Sequence, residues 1–386
     1  GEVVHFEENI FPDGNSDFIA DSFEELRKYY QEQYGKDLAE RYRSIGLDPE
    51  HLEGSPVYKD GLFTELKGIG WVVDDYHCAQ ISLNLTNYKI TPMHDVYDAA
   101  RKLAEQRGIV ITGSEAVGVV PYQAILGSGR HYLQKMRKST GIPFRDVITT
   151  AVQSMGLSDV AEFDIDRKVI GLPTRDGALT GLTVAEFVDE VSRDTPAPGG
   201  GSIAALAGAL GSALTCMVAN LSIGKGEFDD QYDALCTLAD QAQSIKDDLL
   251  RAIDADTEAF NEVIAGMRMP KDTPEQKALR SEAIKAGYRT AAEVPLRTAE
   301  LCREVLDLCQ AAANIGNRAV MSDAGVGALM AFAGVQGAIH NVRINLPHTG
   351  DDDFIARINN RQGTLLGESR IICDSIQQQV EKSFSE

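Results

Sequence analysis

The longest stretch without a charged residue runs from Thr195 to Gly224, and it constrains the fold of this chain more than any other feature. Small residues dominate it, and Ala204, Gly208 and Ser212 recur at intervals of four. Residues spaced in this way share one face of an α-helix, so that face can approach a neighbouring helix closely. The stretch is too weakly hydrophobic to predict a membrane span. It predicts a central helix enclosed by other helices, or one that takes part in a dimer contact.

Residues 183–386 show apolar side chains at helical spacing and no pattern typical of a strand, which predicts an all-helical bundle. A capping box formed by Thr183 and Glu186 begins its first helix. The other helices are predicted at 202–222, 230–265, 274–290, 295–313, 318–345 with a break, and 351–384. One helix is therefore expected to end near Thr290, and another to begin at Pro295.

Residues 61–172 alternate between strand-like and helix-like stretches, which predicts an α/β domain. Residues 79–87 alternate apolar and polar side chains as a half-buried strand does, and residues 108–113 predict a short buried strand. Proline and glycine mark a linker at 173–182. Residues 1–60 are polar and acidic, with one helix near 22–34, and we interpret them as an N-terminal extension or insertion. Helices are predicted at 92–107, 121–127 and 144–155.

Charge and cysteine usage exclude several classes of protein. The formal net charge of −21 argues against a nucleic-acid partner, because such a surface must neutralise phosphates. The six cysteines form no C-x-x-C pair, which predicts reduced core cysteines in a cytoplasmic protein. The seven histidines form no H-x-x-x-H pair, so no metal site is expected.

A glycine-rich entry to the uncharged helix is the sharpest local motif. Gly199, Gly200 and Gly201 allow a ligand to approach the backbone closely, and Ser202 is expected to cap the helix. A helix begun in this way can hold an anion or another ligand, because its free amide groups point outward. The alternative is a stiff loop before a helix, and the pattern alone does not choose between them.

Asp256 interrupts the apolar stripe of the next predicted helix. A charged carboxylate facing a core is costly unless it is paired, so Asp256 is paired, protonated or facing a cavity. It could therefore form a structural ion pair, or it could act as an acid, a base or an orienting group for a substrate. Asp254 lies near the edge of the same face.

Asn314 and Asn317 lie one turn apart in an apolar context, and Asp323 follows them. Side-chain amides in this arrangement could bind a heterocycle, or either asparagine could cap the next helix. Asp323 is a second candidate of the same kind as Asp256. A further polar cluster lies near a predicted helix end and comprises His340, Asn341, Arg343 and Asn345.

These motifs resemble two domains of one enzyme family. From residue 183 onward the chain resembles the cyclodeaminase domain of formimidoyltransferase-cyclodeaminases. Upstream it looks like the C-terminal subdomain of glutamate formimidoyltransferase. The first resemblance rests on 195–202, 254–260, 268–275, 294–296 and 316–323, and the second on 67–71, 80–86, 91–97 and 113–121. It implies an α/β transferase-type subdomain at 61–172, followed by an all-α helical cyclodeaminase domain at 183–386.

The resemblance implies a lyase of histidine degradation and one-carbon metabolism, which converts 5-formimidoyltetrahydrofolate to 5,10-methenyltetrahydrofolate and ammonia without a metal or redox cofactor. Asp256, and after it Asp323, are expected to handle protons. The residues expected to bind the folate are Gly199, Gly200, Gly201, Ser202, Asn314 and Asn317. The folate can carry a polyglutamate tail, which Arg268, Lys271 and Arg343 are expected to contact.

A homodimer or higher homo-oligomer is expected. Two alternatives are a methenyltetrahydrofolate cyclohydrolase, whose family shares the glycine motif, and a non-catalytic folate-binding or assembly module.

The resemblance does not extend to the N-terminal subdomain of the transferase, which supplies the catalytic histidine in the family. Three explanations stay open: the chain is a fragment, it is one part of a split enzyme whose partner is the missing transferase half, or it has lost transferase activity. His94 and His131 are not expected to replace the absent histidine.

Overall fold

The computed structural model describes residues 4–74, 77–173 and 177–385. The chain divides into two compact units, Gly1–Pro92 and Met93–Glu386. Part of the predicted linker, residues 174–176, lies outside the described residues.

The first unit contains a small aromatic core. Strand β1 (Phe11–Pro12) pairs with β2 (Ile19–Ala20), and helices α1 (Phe23–Tyr34) and α2 (Leu38–Ser44) follow. Ser22 caps α1 by accepting a hydrogen bond from the amide of Glu25, at the start of the helix predicted near 22–34. The fully buried side chains of this core include Phe6, Leu26, Tyr30 and Tyr42.

A long hairpin completes this unit. Strands β3 (Leu66–Val73) and β4 (Cys78–Leu85) are antiparallel, with Leu66 opposite Leu85 and Val73 opposite Cys78. The strand predicted at 79–87 is thus present. The prediction that this strand is half-buried was wrong, because the side chain of Ile81 is more than 60% exposed, as are those of Ile69 and Val72 on the paired strand.

The second unit begins with helices α3 (Met93–Glu105), α4 (Tyr122–Lys135) and α5 (Phe144–Met155). A short helix α6 (Ile165–Lys168) leads into strand β6 (Val169–Ile170), which pairs in parallel with β5 (Val120–Pro121). Helix α4 runs eight residues further than its predicted end at Gly127.

The strand predicted at 108–113 does not form, and this prediction was wrong. Residues 109–116 have no regular structure, and Ile109 and Val110 are exposed. A strand needs a neighbour for its backbone hydrogen bonds, and no strand lies beside this segment in the described part of the chain.

The loop after α4 packs onto the helical part of the same unit. The carbonyl oxygen of Gly141 accepts hydrogen bonds from Asn220 Nδ2 (3.1 Å) and Gln243 Nε2 (3.2 Å). A methyl group in place of the Gly141 hydrogen would overlap Ala239. Residues 93–173 are therefore joined to the helices by a close backbone contact.

Residues 177–385 form helices joined by turns, and α7 begins at the predicted Thr183–Glu186 capping box. The helices are α7 (Val184–Val191), α8 (Gly200–Ser222), α9 (Tyr232–Arg268), α10 (Pro274–Ile315), α11 (Met321–Asn345) and α12 (Asp352–Ser383). The helix predicted at 318–345 begins with a 3₁₀ turn, Arg318–Val320, and α11 then runs from Met321 to Asn345 without the predicted break.

Helix α8 is enclosed by α9, α10 and α11, as its small residues predict. A methyl group on Gly208 would overlap Cys302 of α10, and one on Gly211 would lie 2.7 Å from the carbonyl oxygen of Gly327 of α11. Ser212 donates a hydrogen bond to the carbonyl oxygen of Ala242 of α9 (2.7 Å). Close helix approach on three sides therefore explains the composition of this stretch.

Helix α10 runs without interruption through Pro295, so the predicted break between residues 290 and 295 is wrong. Proline has no amide hydrogen, so the carbonyl oxygen four residues earlier loses its helical partner. That oxygen belongs to Ala291, and Asn345 Nδ2 of α11 donates a hydrogen bond to it at 2.8 Å. Tertiary contact thus replaces the bond that the proline removes.

Two helical segments, Gly200–Ser222 and Arg318–Thr349, are long and apolar enough to cross a membrane by length and composition alone. The first is 67% buried within the protein, as expected of a core helix, so these segments do not indicate a span. All six cysteines are unpaired, and five of them are buried, as predicted.

Candidate functional site

The amino end of α8 is built by two helices. The helix begins at Gly200, so Gly199 is the N-cap and Ser202 lies inside the first turn rather than capping it. The acceptor for this turn comes from α9: Asp256 Oδ2 accepts a hydrogen bond from the Ser202 amide at 3.0 Å. The Ser202 hydroxyl donates to the carbonyl oxygen of Ile253 at 2.8 Å. Asp256 therefore caps α8 from a neighbouring helix.

Neighbouring side chains leave little room for a Cβ atom at Gly200 and Gly201. A methyl group on Gly201 would overlap the Asp256 carboxylate, and one on Gly200 would lie 3.1 Å from Asn341 Nδ2 of α11. Thr257 Oγ1 lies 3.4 Å from the Ser202 hydroxyl. Two glycine backbones, a carboxyl, an amide and a hydroxyl thus meet at one helix end.

The electrostatics of Asp256 differ from those of an ordinary surface carboxyl. Burial raises its pKa above the usual value, and the hydrogen bond from the Ser202 amide opposes this rise. No ion pair to Asp256 is found in the described part of the chain, so the structural ion pair that the sequence allowed does not form. A carboxyl that keeps its proton closer to neutral pH can act as an acid or a base.

Asp254, two residues earlier on α9, has a structural role. Its carboxylate accepts hydrogen bonds from the amide of Leu179 (2.8 Å) and the hydroxyl of Thr180 (2.9 Å). These bonds hold the segment before α7 against α9, so Asp254 and Asp256 bind different segments: Asp254 the one before α7, and Asp256 the first turn of α8.

Comparison with known proteins places the chain in a family. A family model described as formiminotransferase-cyclodeaminase matches residues 183–363, and one described as formiminotransferase domain matches residues 30–173. A methenyltetrahydrofolate cyclohydrolase of Methylorubrum extorquens is 38% identical over 204 residues, which are 53% of this chain and 98% of that protein. The chain belongs to the formiminotransferase-cyclodeaminase family.

Bifunctional members of the family are similar over most of the chain. Formimidoyltransferase-cyclodeaminase of Rattus norvegicus is 34% identical over 314 residues, which are 80% of this chain and 58% of that protein. The protein of the same name from Gallus gallus is 33% identical over 87% of this chain and 62% of its own length. The chain thus spans about three fifths of these relatives. A crystal structure of formiminotetrahydrofolate cyclodeaminase from Thermotoga maritima, 25% identical, covers 52% of this chain and 95% of its own, with a TM-score of 0.45.

The matched ranges also bear on the transferase region. The formiminotransferase-domain match begins at residue 30, within the segment that we interpreted as an extension. A loss of the transferase function, which the sequence left open, is not supported by this match. The boundaries at residues 60, 172 and 182 stay predictions, as does the likeness to one transferase subdomain.

Three predicted site residues of this family member lie at the opposite end of α8 from Asp256. The amide of Asn317 donates to Ser222 Oγ (2.7 Å) at the carboxyl end of α8, and Asn317 Oδ1 accepts from the amide of Ala319 (2.9 Å). Asn317 therefore caps the following turn, one of the two roles that the sequence allows. Asn314 is exposed, and Asp323 lies in the first turn of α11. Since α8 has 23 residues, about 33 Å separate its two ends.

The basic residues predicted to contact a glutamate tail are exposed. Arg268 ends α9 and Lys271 follows it, about 18 Å along the helix axis from Asp256. Arg343 lies two residues after Asn341 and donates a hydrogen bond from Nε to Gln362 (3.1 Å).

Sequence reasoning missed two groups of residues. Asn341 was placed in a polar cluster without a link to the glycine loop, because only the antiparallel packing of α8 and α11 brings them together. His94 and His131 are 37 positions apart, yet their rings stack with centroids 4.2 Å apart, because α3 packs on α4. No spacing rule within one helix could have found this pair.

Proposed function

We propose that residues 183–386 form a formimidoyltetrahydrofolate cyclodeaminase, which converts 5-formimidoyltetrahydrofolate to 5,10-methenyltetrahydrofolate and ammonia. The observation that carries this proposal is the partly buried Asp256 carboxyl, held at the amino end of α8 beside the backbone of Gly201 and Ser202. Family membership and the bifunctional relatives support it.

In the proposed reaction, the folate nitrogen at position 10 attacks the carbon of the protonated formimidoyl group on the nitrogen at position 5. The π electrons of the C=N bond move to the terminal nitrogen, which later leaves as ammonia. One proton must pass from the attacking nitrogen to the leaving nitrogen. Asp256 is suited to accept this proton and return it, because burial raises its pKa and so makes the carboxylate a stronger base than an ordinary surface aspartate. No electrons are gained or lost overall, so the proposed reaction needs no redox cofactor, and we propose that side chains handle the proton without a metal.

The backbone at Gly199, Gly200, Gly201 and Ser202 is proposed to hold the folate. Without side chains at the three glycines, the substrate can approach the helix end closely, and this places the two reacting nitrogens near Asp256. Arg268, Lys271 and Arg343 remain proposed contacts for a polyglutamate tail, since their exposed positive charges complement its carboxylates.

We also propose that the active unit is a homodimer. Along α8 the exposed side chains include Leu210 and Met217, and along α11 they include Val326 and Leu329. Such a stripe on two packed helices is typical of an interface between subunits. A two-fold axis crossing the middle of α8 would place the Asn314, Asn317 and Asp323 end of one copy beside Asp256 of the other. This arrangement would unite the two halves of the predicted site.

A second candidate is a methenyltetrahydrofolate cyclohydrolase, because the relative of that name matches over 98% of its length. In that reaction water would attack the methenyl carbon and open the ring. The two functions differ in their products, since the deaminase releases ammonia and forms the methenyl group, whereas the cyclohydrolase consumes it.

The transferase-type region is proposed to contribute to formimidoyl transfer when the remaining transferase residues are supplied, in the same cytoplasmic protein or by a partner. Its match to the formiminotransferase domain supports this. Transfer would produce the substrate that the helical region consumes.

The experiment that tests the proposal incubates the full chain with 5-formimidoyltetrahydrofolate and follows ammonia and methenyl absorbance in parallel. Equal rates of both, well above the uncatalysed rate, are expected. A parallel incubation supplies 5,10-methenyltetrahydrofolate, and its hydrolysis by a protein that releases no ammonia from the formimidoyl compound would establish the cyclohydrolase instead. A folded protein that binds folate but releases neither product would be a binding or assembly module.

A further inference from the structure

A cluster on α3 and α4 is not used by the proposed reaction. One ring nitrogen each of His94 and His131, and a carboxylate oxygen of Asp95, lie within 4.8 Å of one another. His94 and Asp95 are adjacent in the first turn of α3, and His131 lies within α4. The two histidines are partly buried, and Asp95 reaches solvent.

The hydrogen bonds of His94 leave one of its nitrogens with a free lone pair. The buried Ser128 hydroxyl donates to the carbonyl oxygen of Ala124 (3.1 Å), so we assign its oxygen as the acceptor for His94 Nδ1, which lies 3.2 Å away. The hydrogen of the neutral ring is therefore on Nδ1, and Nε2 keeps its lone pair. That nitrogen lies 3.7 Å from Asp95 Oδ1, which is also an acceptor.

His131 is held in the same way by a carboxylate. Its Nε2 lies 3.0 Å from Asp98 Oδ2, and because a carboxylate only accepts, the ring hydrogen is on Nε2 and Nδ1 keeps the lone pair. Asp98 is itself held by Lys135 Nζ (2.8 Å) and the Tyr132 hydroxyl (3.2 Å). A histidine oriented by a carboxylate behind it is the usual arrangement around a protein-bound metal.

We propose that His94, Asp95 and His131 bind a divalent cation of the zinc class. Two neutral imidazoles and one carboxylate are ligands that zinc prefers, at about 2.0–2.2 Å from the metal. Donors around such an ion lie closer together than 4.8 Å, so binding requires the stacked His94 and His131 rings to turn toward a common point and the half-exposed Asp95 side chain to move inward. Ser128 and Asp98 orient the two rings, and the fourth position is open to water. The site lies on α3 and α4, apart from Asp256 on α9, so it does not depend on the proposed deaminase reaction.

The test is calorimetric titration of zinc chloride into the full chain after removal of metals with a chelator. One tight equivalent is expected in the wild type, together with a rise in melting temperature. His131→Ala and His94→Ala should each lose this equivalent. Asp98→Asn, which changes only the residue that positions His131, should weaken zinc binding by about 10–100-fold.

His51→Ala is the matched control, because His51 is exposed and paired with Asp48 in the other unit, and Cys78→Ser controls for binding at the exposed thiol. Both should bind zinc as the wild type does, and circular dichroism establishes that each variant is folded. If His94→Ala does not fold, His131→Ala decides. Absence of a tight equivalent in the wild type, or its retention in a folded His131→Ala, would overturn the proposal.

Discussion

At the scale of single residues, Asp256 combines two tasks that usually belong to different side chains. It completes the hydrogen bonding of the first turn of α8, and it remains a carboxyl whose pKa is raised by burial. An asparagine in its place could still accept the Ser202 hydrogen bond, but it could not carry a proton. The two tasks can therefore be separated by one substitution.

Asp256→Asn should change how stability depends on pH. Because the folded-state pKa of Asp256 lies above its ordinary value, the wild type loses part of its stability as pH rises through that folded-state pKa. The variant lacks this loss, so its melting temperature relative to the wild type should increase as pH rises above about 4, the ordinary pKa of an aspartate. Thermal unfolding at several pH values measures this, with the exposed Glu258→Gln on the same helix as control. A difference in melting temperature that falls over this range would contradict the assignment.

Gly201→Ala should displace the Asp256 carboxylate, because the added methyl group would occupy its position. We expect ammonia release to fall about 100-fold, since small misplacements of a reacting group have effects of this size, and the free energy of unfolding to fall by about 1–3 kcal/mol. Steady-state assays and urea unfolding measure both.

Gly363→Ala is the matched control, because Gly363 is in helix α12 and nothing lies within 4 Å of the added methyl group. It should raise stability by about 0.5–1 kcal/mol and leave activity unchanged. Full activity in Gly201→Ala would show that the position of Asp256 is not critical.

At the scale of elements, α10 continues through Pro295 because of a side chain on another helix. The Asn345 amide supplies the hydrogen bond that the Ala291 carbonyl oxygen would otherwise lack. Proline within a helix is costly, and this contact offsets part of the cost.

A double-mutant cycle tests this contact. Asn345→Ala alone should destabilise the protein by about 1–2 kcal/mol, because the Ala291 oxygen is left without a partner. In a Pro295→Ala background the helix supplies its own amide, so the same change should cost clearly less. Urea unfolding of the four proteins gives the coupling energy. Equal costs of Asn345→Ala in both backgrounds would show that the hydrogen bond does not support the helix.

The same elements show what a sequence can and cannot predict. The helices of the bundle follow from apolar periodicity, and the enclosure of α8 follows from its small residues. The continuity of α10 does not follow, because the deciding residue, Asn345, is 50 positions from Pro295. The strand predicted at 108–113 fails for a related reason, since pairing depends on a neighbour that the local pattern does not reveal.

The residues of the candidate site could be predicted from the sequence, but their contacts could not. Asp256 is recognisable because a carboxyl interrupts an apolar stripe, and the glycine loop because of its composition. Their direct contact depends on the packing of α8 against α9. The separation of Asn317 from Asp256 by the length of α8 could not be predicted, because tertiary packing decides which end of α8 each of the two motifs reaches.

At the scale of the whole molecule, that separation makes the subunit arrangement part of the functional proposal. Wild-type protein is expected to be a dimer at micromolar concentration by light scattering after size-exclusion chromatography. Leu210→Glu places a charge in the exposed apolar stripe, so it should shift the protein toward monomer and lower ammonia release. Leu279→Glu, at an exposed leucine of α10, is the control and should do neither. A fully active monomer would contradict the shared site.

The most direct test of the central claim, that the amino end of α8 is a deaminase site in which Asp256 transfers the proton, is ammonia release from 5-formimidoyltetrahydrofolate by wild type and Asp256→Asn. Methenyl absorbance is followed in parallel, and circular dichroism establishes that both proteins are folded. We predict equal rates of ammonia and methenyl formation in the wild type, and a loss of about 100-fold or more in the variant, as expected when a general acid–base group is removed. A folded Asp256→Asn that releases ammonia at the wild-type rate would contradict the account.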